Sequence, residues 1–173
     1  MYKQLFIFTE GPDDQRFFEG VVKPLFEKKY DHVKVCLYSE EKDEKCKKFL
    51  RNIKSMDADY IVAGDIDDSP CITHKKQKVQ AKFGNLEEDR IILVIREIES
   101  WYLAGIDDQC AKKLRMRSCE TTDNLTKETF NEATPRRFDS RVDFMVELLK
   151  FFDSEIAKQK NKSFRYFFEK HCC

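Results

Sequence analysis

The sequence predicts an α/β fold: about four mainly parallel strands flanked by helices, followed by a C-terminal helical extension. Three observations carry this expectation. The run Tyr60-Ile61-Val62-Ala63 and the run RIILVI over residues 90–95 are nearly continuous apolar stretches, the pattern of strands buried on both faces of a parallel sheet. Strand-like and helix-like stretches alternate along the first hundred residues, as parallel strands joined by helical crossovers require. The first, third and fourth strand-like runs each end in carboxylates, and open α/β sheets place ligands just beyond their strand ends.

At 173 residues the chain is long enough to bury a core, and 41% hydrophobic residues with 15 Phe agree with that. Lys+Arg and Asp+Glu both total 32, so net charge points to no polyanion or membrane partner, although a local basic patch remains compatible with that balance. The seven cysteines show no C-x-x-C, and His32, His74 and His171 lack zinc-ligand spacing. Free thiols in a reducing cytoplasm are expected. The apolar run at the N-terminus is too short for a signal peptide, and no segment reaches the length of a membrane span. A soluble cytoplasmic protein is the expectation.

Residues 3–9, KQLFIFT, form a β-rich run that stops at Glu10-Gly11-Pro12. Gly11 permits a tight turn, Pro12 suits the first position of a helix, and Asp13 and Asp14 complement its positive end. Phe17, Phe18, Val21, Val22, Leu25 and Phe26 then recur at helical spacing, with Pro24 predicting a kink near Lys23. Residues 32–38 read as a second strand. Residues 40–54 read as a surface helix with a narrow seam of Cys46, Phe49, Leu50 and Ile53. The stretch DYIVAGDIDD, residues 59–68, supplies the third strand and Asp65, Asp67 and Asp68.

Ser69-Pro70 lead to the basic run HKKQKVQAKF over 74–83, where Lys75, Lys76 and Lys78 can touch phosphates; such a run is more commonly a solvated helix face. Residues 85–89 make a turn before the fourth strand. The fourth strand flows into Glu97 and Glu99, near a helix start. On a helix, Glu97 would neighbour Trp101 and Glu99 would neighbour Leu103, so one of the two glutamates would face a site directly. A short helix is expected within residues 107–116. Residues 117–141 are polar and turn-rich, with Arg136 and Arg137 among their arginines, and suit a mobile lid or small appendage. One stripe of Val142, Met145, Leu148, Leu149, Phe152 and Ile156, and an aromatic segment over 164–171, predict a helical end.

Right-handed crossovers bring parallel strand ends to one edge, so Glu10, Asp65, Asp67 and one of Glu97 or Glu99 can surround a common point. Converging carboxylates repel one another, and a divalent cation with a preference for oxygen ligands removes that penalty. Acidic turn and helix-cap roles are the structural alternative for each of them. No G-x-S-x-G and no Gly-rich phosphate loop competes.

LFIFTEG with its following helix, IVAGDIDD, and REIESWYLAGID together resemble the acidic motifs of the Toprim superfamily, in that order, over residues 3–104. That group includes primases, topoisomerases, small RNA-maturation nucleases and OLD-type nucleases; the third segment is similar to an E-x-E helix start in an uncharacterised Toprim-like branch. The resemblance implies a Toprim/Rossmann-like core over 1–104, with the polar loop region and helices of 105–173 packed on the same domain. It implies Glu10 as general acid/base or metal ligand and Asp65 and Asp67 as the pair that binds Mg²⁺ (or Mn²⁺). Asp68, Glu97 and Glu99 are further ligand candidates.

Neither a primase-type zinc module nor a topoisomerase architecture around a tyrosine is evident, so a nuclease acting on DNA or RNA fits best among Toprim activities. The lysines and Arg136 and Arg137 would position the nucleic acid backbone. The sequence carries no ATPase domain of the OLD type, so an ATPase partner would be a separate chain. The alternative is a non-catalytic or partner-dependent Toprim-like regulatory subunit.

Overall fold

The computed structural model describes residues 2–66 and 69–172, so the expectations for Asp67 and Asp68 lie outside the described residues. The chain forms two compact units, Met1–Leu93 and Val94–Cys173.

The first unit carries the sheet. Its strands are β1 (Gln4–Thr9), β2 (His32–Leu37), β3 (Asp59–Asp65) and β4 (Ile91–Val94), in the spatial order β2-β1-β3-β4 and all parallel. The expected α/β architecture is thus present, with β1 between β2 and β3. The alternation of side chains along each strand divides the core between the two faces. Phe8, Tyr60 and Val62 pack with Cys46, Leu50 and Ile53 of α3 (Asp43–Ser55) and Val79 and Phe83 of α4 (Ile72–Phe83). Their strand neighbours Leu5, Ile7 and Ile61 are also buried, and α1 (Pro12–Phe17) and α2 (Lys23–Phe26) pack along β1 and β2.

Between α1 and α2 the backbone widens into a π turn, Phe18–Val22. This is the form taken by the kink expected near Lys23. Pro24 lacks an N–H and its ring collides with the carbonyl four residues back, so the hydrogen-bond ladder opens just before it.

The amino end of the sheet is closed by a polar network. The Tyr30 hydroxyl donates to Asp59 at 2.8 Å, and Arg90 reaches the same carboxylate at 3.3 Å while lying over the Tyr60 ring. Burial, helped by the Asp59 hydrogen bond, pushes the Tyr30 phenol up to about 12. Its folded pKa is therefore above the unfolded value of 10, so its contribution to stability is complete below pH 10 and is lost as pH rises toward 12. Tyr30→Phe should remove one late-titrating tyrosine from the 295 nm absorbance titration, and an unchanged curve between pH 10 and 12 would contradict this assignment.

The second unit is helical: α5 (Glu99–Ala104), α6 (Asp108–Leu114), α7 (Lys127–Ala133), α8 (Arg141–Lys150), α9 (Ser154–Lys160) and α10 (Lys162–His171). Helix α5 is buried along its whole length and packs on α7, α8 and α9. Trp101 stacks on Phe167, and its indole N–H donates to Ser163 at 2.8 Å.

Two expectations need correction here. The C-terminal stripe read as one helix is two, because Asp153 caps α9 by accepting from the backbone N–H groups of Glu155 and Ile156; Val142 is exposed and Phe144 takes the buried position. The polar stretch 117–141 is not irregular throughout, since it contains α7, which a fully buried Phe130 anchors against Phe144.

Cys36, Cys46, Cys71, Cys110 and Cys119 are free thiols, and burial pushes those of Cys36 and Cys46 up, away from reactivity. Among the described residues no helix is long and apolar enough to cross a membrane.

Candidate functional site

The carboxyl edge of the first unit is built by the register of β1 and β3. Thr9 pairs with Ala63, so Glu10 comes level with Gly64, and Asp65 follows one residue on. A Cβ at Gly64 would lie 2.6 Å from Glu10 Oε2 and 3.0 Å from the Tyr38 hydroxyl. The missing side chain of Gly64 is therefore the space in which the Glu10 carboxylate sits. Helix α1 holds the approach to Glu10, because the Gly11 N–H donates to Asp14 Oδ2 at 3.2 Å and Asp14 is itself buried.

The partner of Glu10 comes from α4. The Lys75 ammonium donates to both carboxylate oxygens, at 3.0 and 2.9 Å, and the Lys75 side chain is only 7% exposed. Local sequence explains this placement. Lys75, Val79 and Phe83 recur every four residues and are the buried positions of α4, so packing of the two apolar residues turns the lysine inward as well. Lys75 thus departs from the solvated-face reading of the basic run. Lys76 is on a different bearing and pairs with Glu88 at 2.8 Å.

Glu10, Tyr38, Ser69, Lys75, Lys78, Val79 and Lys82 line a cleft of about 320 Å³, at the small end of ligand pockets. Lys75, Lys78 and Lys82, three and then four residues apart, share one helix face. Lys78 is exposed at this cleft, and Lys82 donates to the Ser39 carbonyl at 2.9 Å. The cleft therefore sets two rim ammonium groups beside an internally neutralised pair.

Glu97 and Glu99 belong to the second unit, where each has a partner. Glu97 precedes α5 rather than lying on it, so the expected Glu97–Trp101 helical pairing does not form; Arg96, at φ 70°, turns the chain just before it. Its carboxylate accepts from the Lys127 backbone N–H. Glu99 is 3% exposed and meets Arg141 at 2.5 Å. Arg136 and Arg137 are exposed in the same unit, with Arg137 over the Phe138 ring.

The pairing of Lys75 with Glu10, although the lysine itself is a phosphate-contact candidate in the sequence, and the parts of Gly64 and Tyr38 are what sequence reasoning misses. A lysine on the i, i+4, i+8 stripe of an otherwise apolar helix face was the available signal for the first.

No protein-family model matches the chain, and no curated protein does. Among solved structures, the chain is similar to the C-terminal region of the Xanthomonas campestris pv. campestris OLD protein. Identity is 15% and the TM-score 0.39, over 100% of this chain and 89% of that one.

Proposed function

We propose that this chain is a Mg²⁺-dependent nuclease or phosphodiesterase of the Toprim type, acting on phosphodiester bonds of DNA or RNA. The observation that supports this reading is the β1–β3 register, which sets the Glu10 carboxylate over Gly64, one residue before Asp65 at the same strand end, at a cleft rimmed by lysines. The ammonium groups of Lys78 and Lys82 would hold phosphate oxygens there. A carboxylate fixed at the mouth of such a cleft can accept a proton from an attacking water.

The fit to a metal is partial. Asp65 offers the oxygen chemistry that Mg²⁺ takes. Among the described residues, however, no three His, Cys, Asp or Glu side chains come together as an ion site, and both Glu10 oxygens take Lys75. Asp65 and Asp67 are the pair proposed to hold the ion.

The occupied Glu10 favours a second reading: a partner-dependent subunit whose site is completed only with another chain, a separate ATPase being the expected kind. The deciding assay offers single- and double-stranded DNA and RNA with Mg²⁺ or Mn²⁺ to the wild type, Glu10→Ala and Asp65→Ala. Metal-dependent cutting that both substitutions reduce by about 10²- to 10⁴-fold is expected. A folded wild type that cuts nothing would end the autonomous nuclease reading in favour of the second.

A further inference from the structure

The Toprim resemblance makes Glu10 a metal-ligand candidate, and its surroundings disagree. We infer that the Lys75 ammonium is the resident cation of Glu10, so that Glu10 does not ligate a divalent ion and Lys75 acts as a positioning residue through it. This rests on the reading of the sheet edge as a phosphate-handling site.

Three features of the first unit carry the inference. The contact is two-pronged, at 3.0 and 2.9 Å, which uses both carboxylate oxygens. The lysine is aimed inward by the packing of Val79 and Phe83 on its own helix, so its direction does not depend on what else Glu10 binds. The strand backbone bounds the carboxylate on another side, with Glu10 Oε2 2.6 Å and the Tyr38 hydroxyl 3.0 Å from the point where a Gly64 Cβ would stand. A divalent ion at Glu10 would have to displace a buried ammonium from the two oxygens that already accept from it. Two positive charges at one carboxylate also repel each other. One cation at Glu10 is the stable number, and the fold already supplies it.

The test reads Mn²⁺ binding by calorimetry on the full chain, with thermal melts as the check of folding. Glu10→Gln should leave the Mn²⁺ dissociation constant within about twofold of wild type. Lys75→Met, or Lys75→Gln where Met does not fold, should bind Mn²⁺ about tenfold tighter or at one additional site, because it frees Glu10 as a ligand. Lys75→Arg should match wild type. A loss of about tenfold in Glu10→Gln, or Lys75 variants indistinguishable from wild type, would overturn the inference.

A measurement without substitutions stands beside these. In ¹⁵N-lysine spectra, the slowly exchanging Lys75 ammonium signal should persist at saturating Mg²⁺, and its disappearance would equally count against the inference. The nuclease reading falls on wild-type and Asp65→Ala cleavage, whereas this one falls on ion binding, so the two failures are distinguishable.

Discussion

Gly64→Val should reduce metal-dependent cutting by about 10²-fold while leaving the first unit folded. The Cβ it adds meets Glu10 Oε2 at 2.6 Å and the Tyr38 hydroxyl at 3.0 Å, well inside van der Waals contact. The backbone offers no objection, because Gly84 is the only described glycine at positive φ and β-branched residues suit strands. The strain therefore falls on the movable Glu10 carboxylate, which must swing away from Lys75. A displacement of about 1 Å in a positioned group costs on the order of 10²-fold in rate. The checks are a thermal melt close to wild type, a cleavage assay, and the Lys75 ammonium signal, which should be lost. Full activity in a folded Gly64→Val chain would show that the place of Glu10 does not matter.

Arg141→Met should destabilise the second unit by about 3 kcal/mol, the lower end of what is lost when one member of a buried ion pair is removed. Glu99 is 3% exposed, so the substitution takes a cationic partner from a carboxylate held out of water, whereas the arginine side chain is 25% exposed and reaches solvent in part. The asymmetry sets the direction of the controls. Glu99→Gln keeps the shape without the charge and should cost less. Glu99→Leu combined with Arg141→Met should recover much of the loss, because a pair of apolar residues leaves no uncompensated charge. Urea unfolding of the full chain measures all three. A single Arg141→Met effect below about 1 kcal/mol would mean that water reaches Glu99.

Much of the first unit was legible because its signals are local. Apolar runs give strands whatever their neighbours, and the β1–β3–β4 ends were readable as carboxylate-bearing for the same reason. What could not be read was partnership. Lys75 sits within a basic run whose other lysines are half-buried or exposed, and only the direction imposed by Val79 and Phe83 separates it from Lys76 and Lys78. Nothing near Gly64 in the sequence marks its part, because its meaning lies in Glu10, more than fifty residues away. Glu97 and Glu99 were read on one helix, but the left-handed turn at Arg96 delays that helix to Glu99. Periodicity does not register a single backbone reversal. The break between α8 and α9 was hidden for a related reason, since an apolar spacing of three or four continues across it by chance while Asp153 restarts the hydrogen-bond ladder.

The π turn at Phe18–Val22 also determines which changes of length this segment can absorb. In a plain α-helix a spacing of four residues drifts by about 40° at each step, so Phe18, Val22 and Phe26 would spiral off a common line. All three are buried, and the wider turn takes back part of that drift. The turn is in effect one residue of slack, held where the helix crosses from α1 into α2. Elsewhere in a helix, losing a residue rotates everything beyond it by about 100° and carries an apolar face into water. Loss of Glu19 or Gly20 would instead draw the slack in, and both flanking faces would stay on the core. A one-residue change in the length of this chain's first crossover therefore has its least disruptive position there, two turns from Glu10.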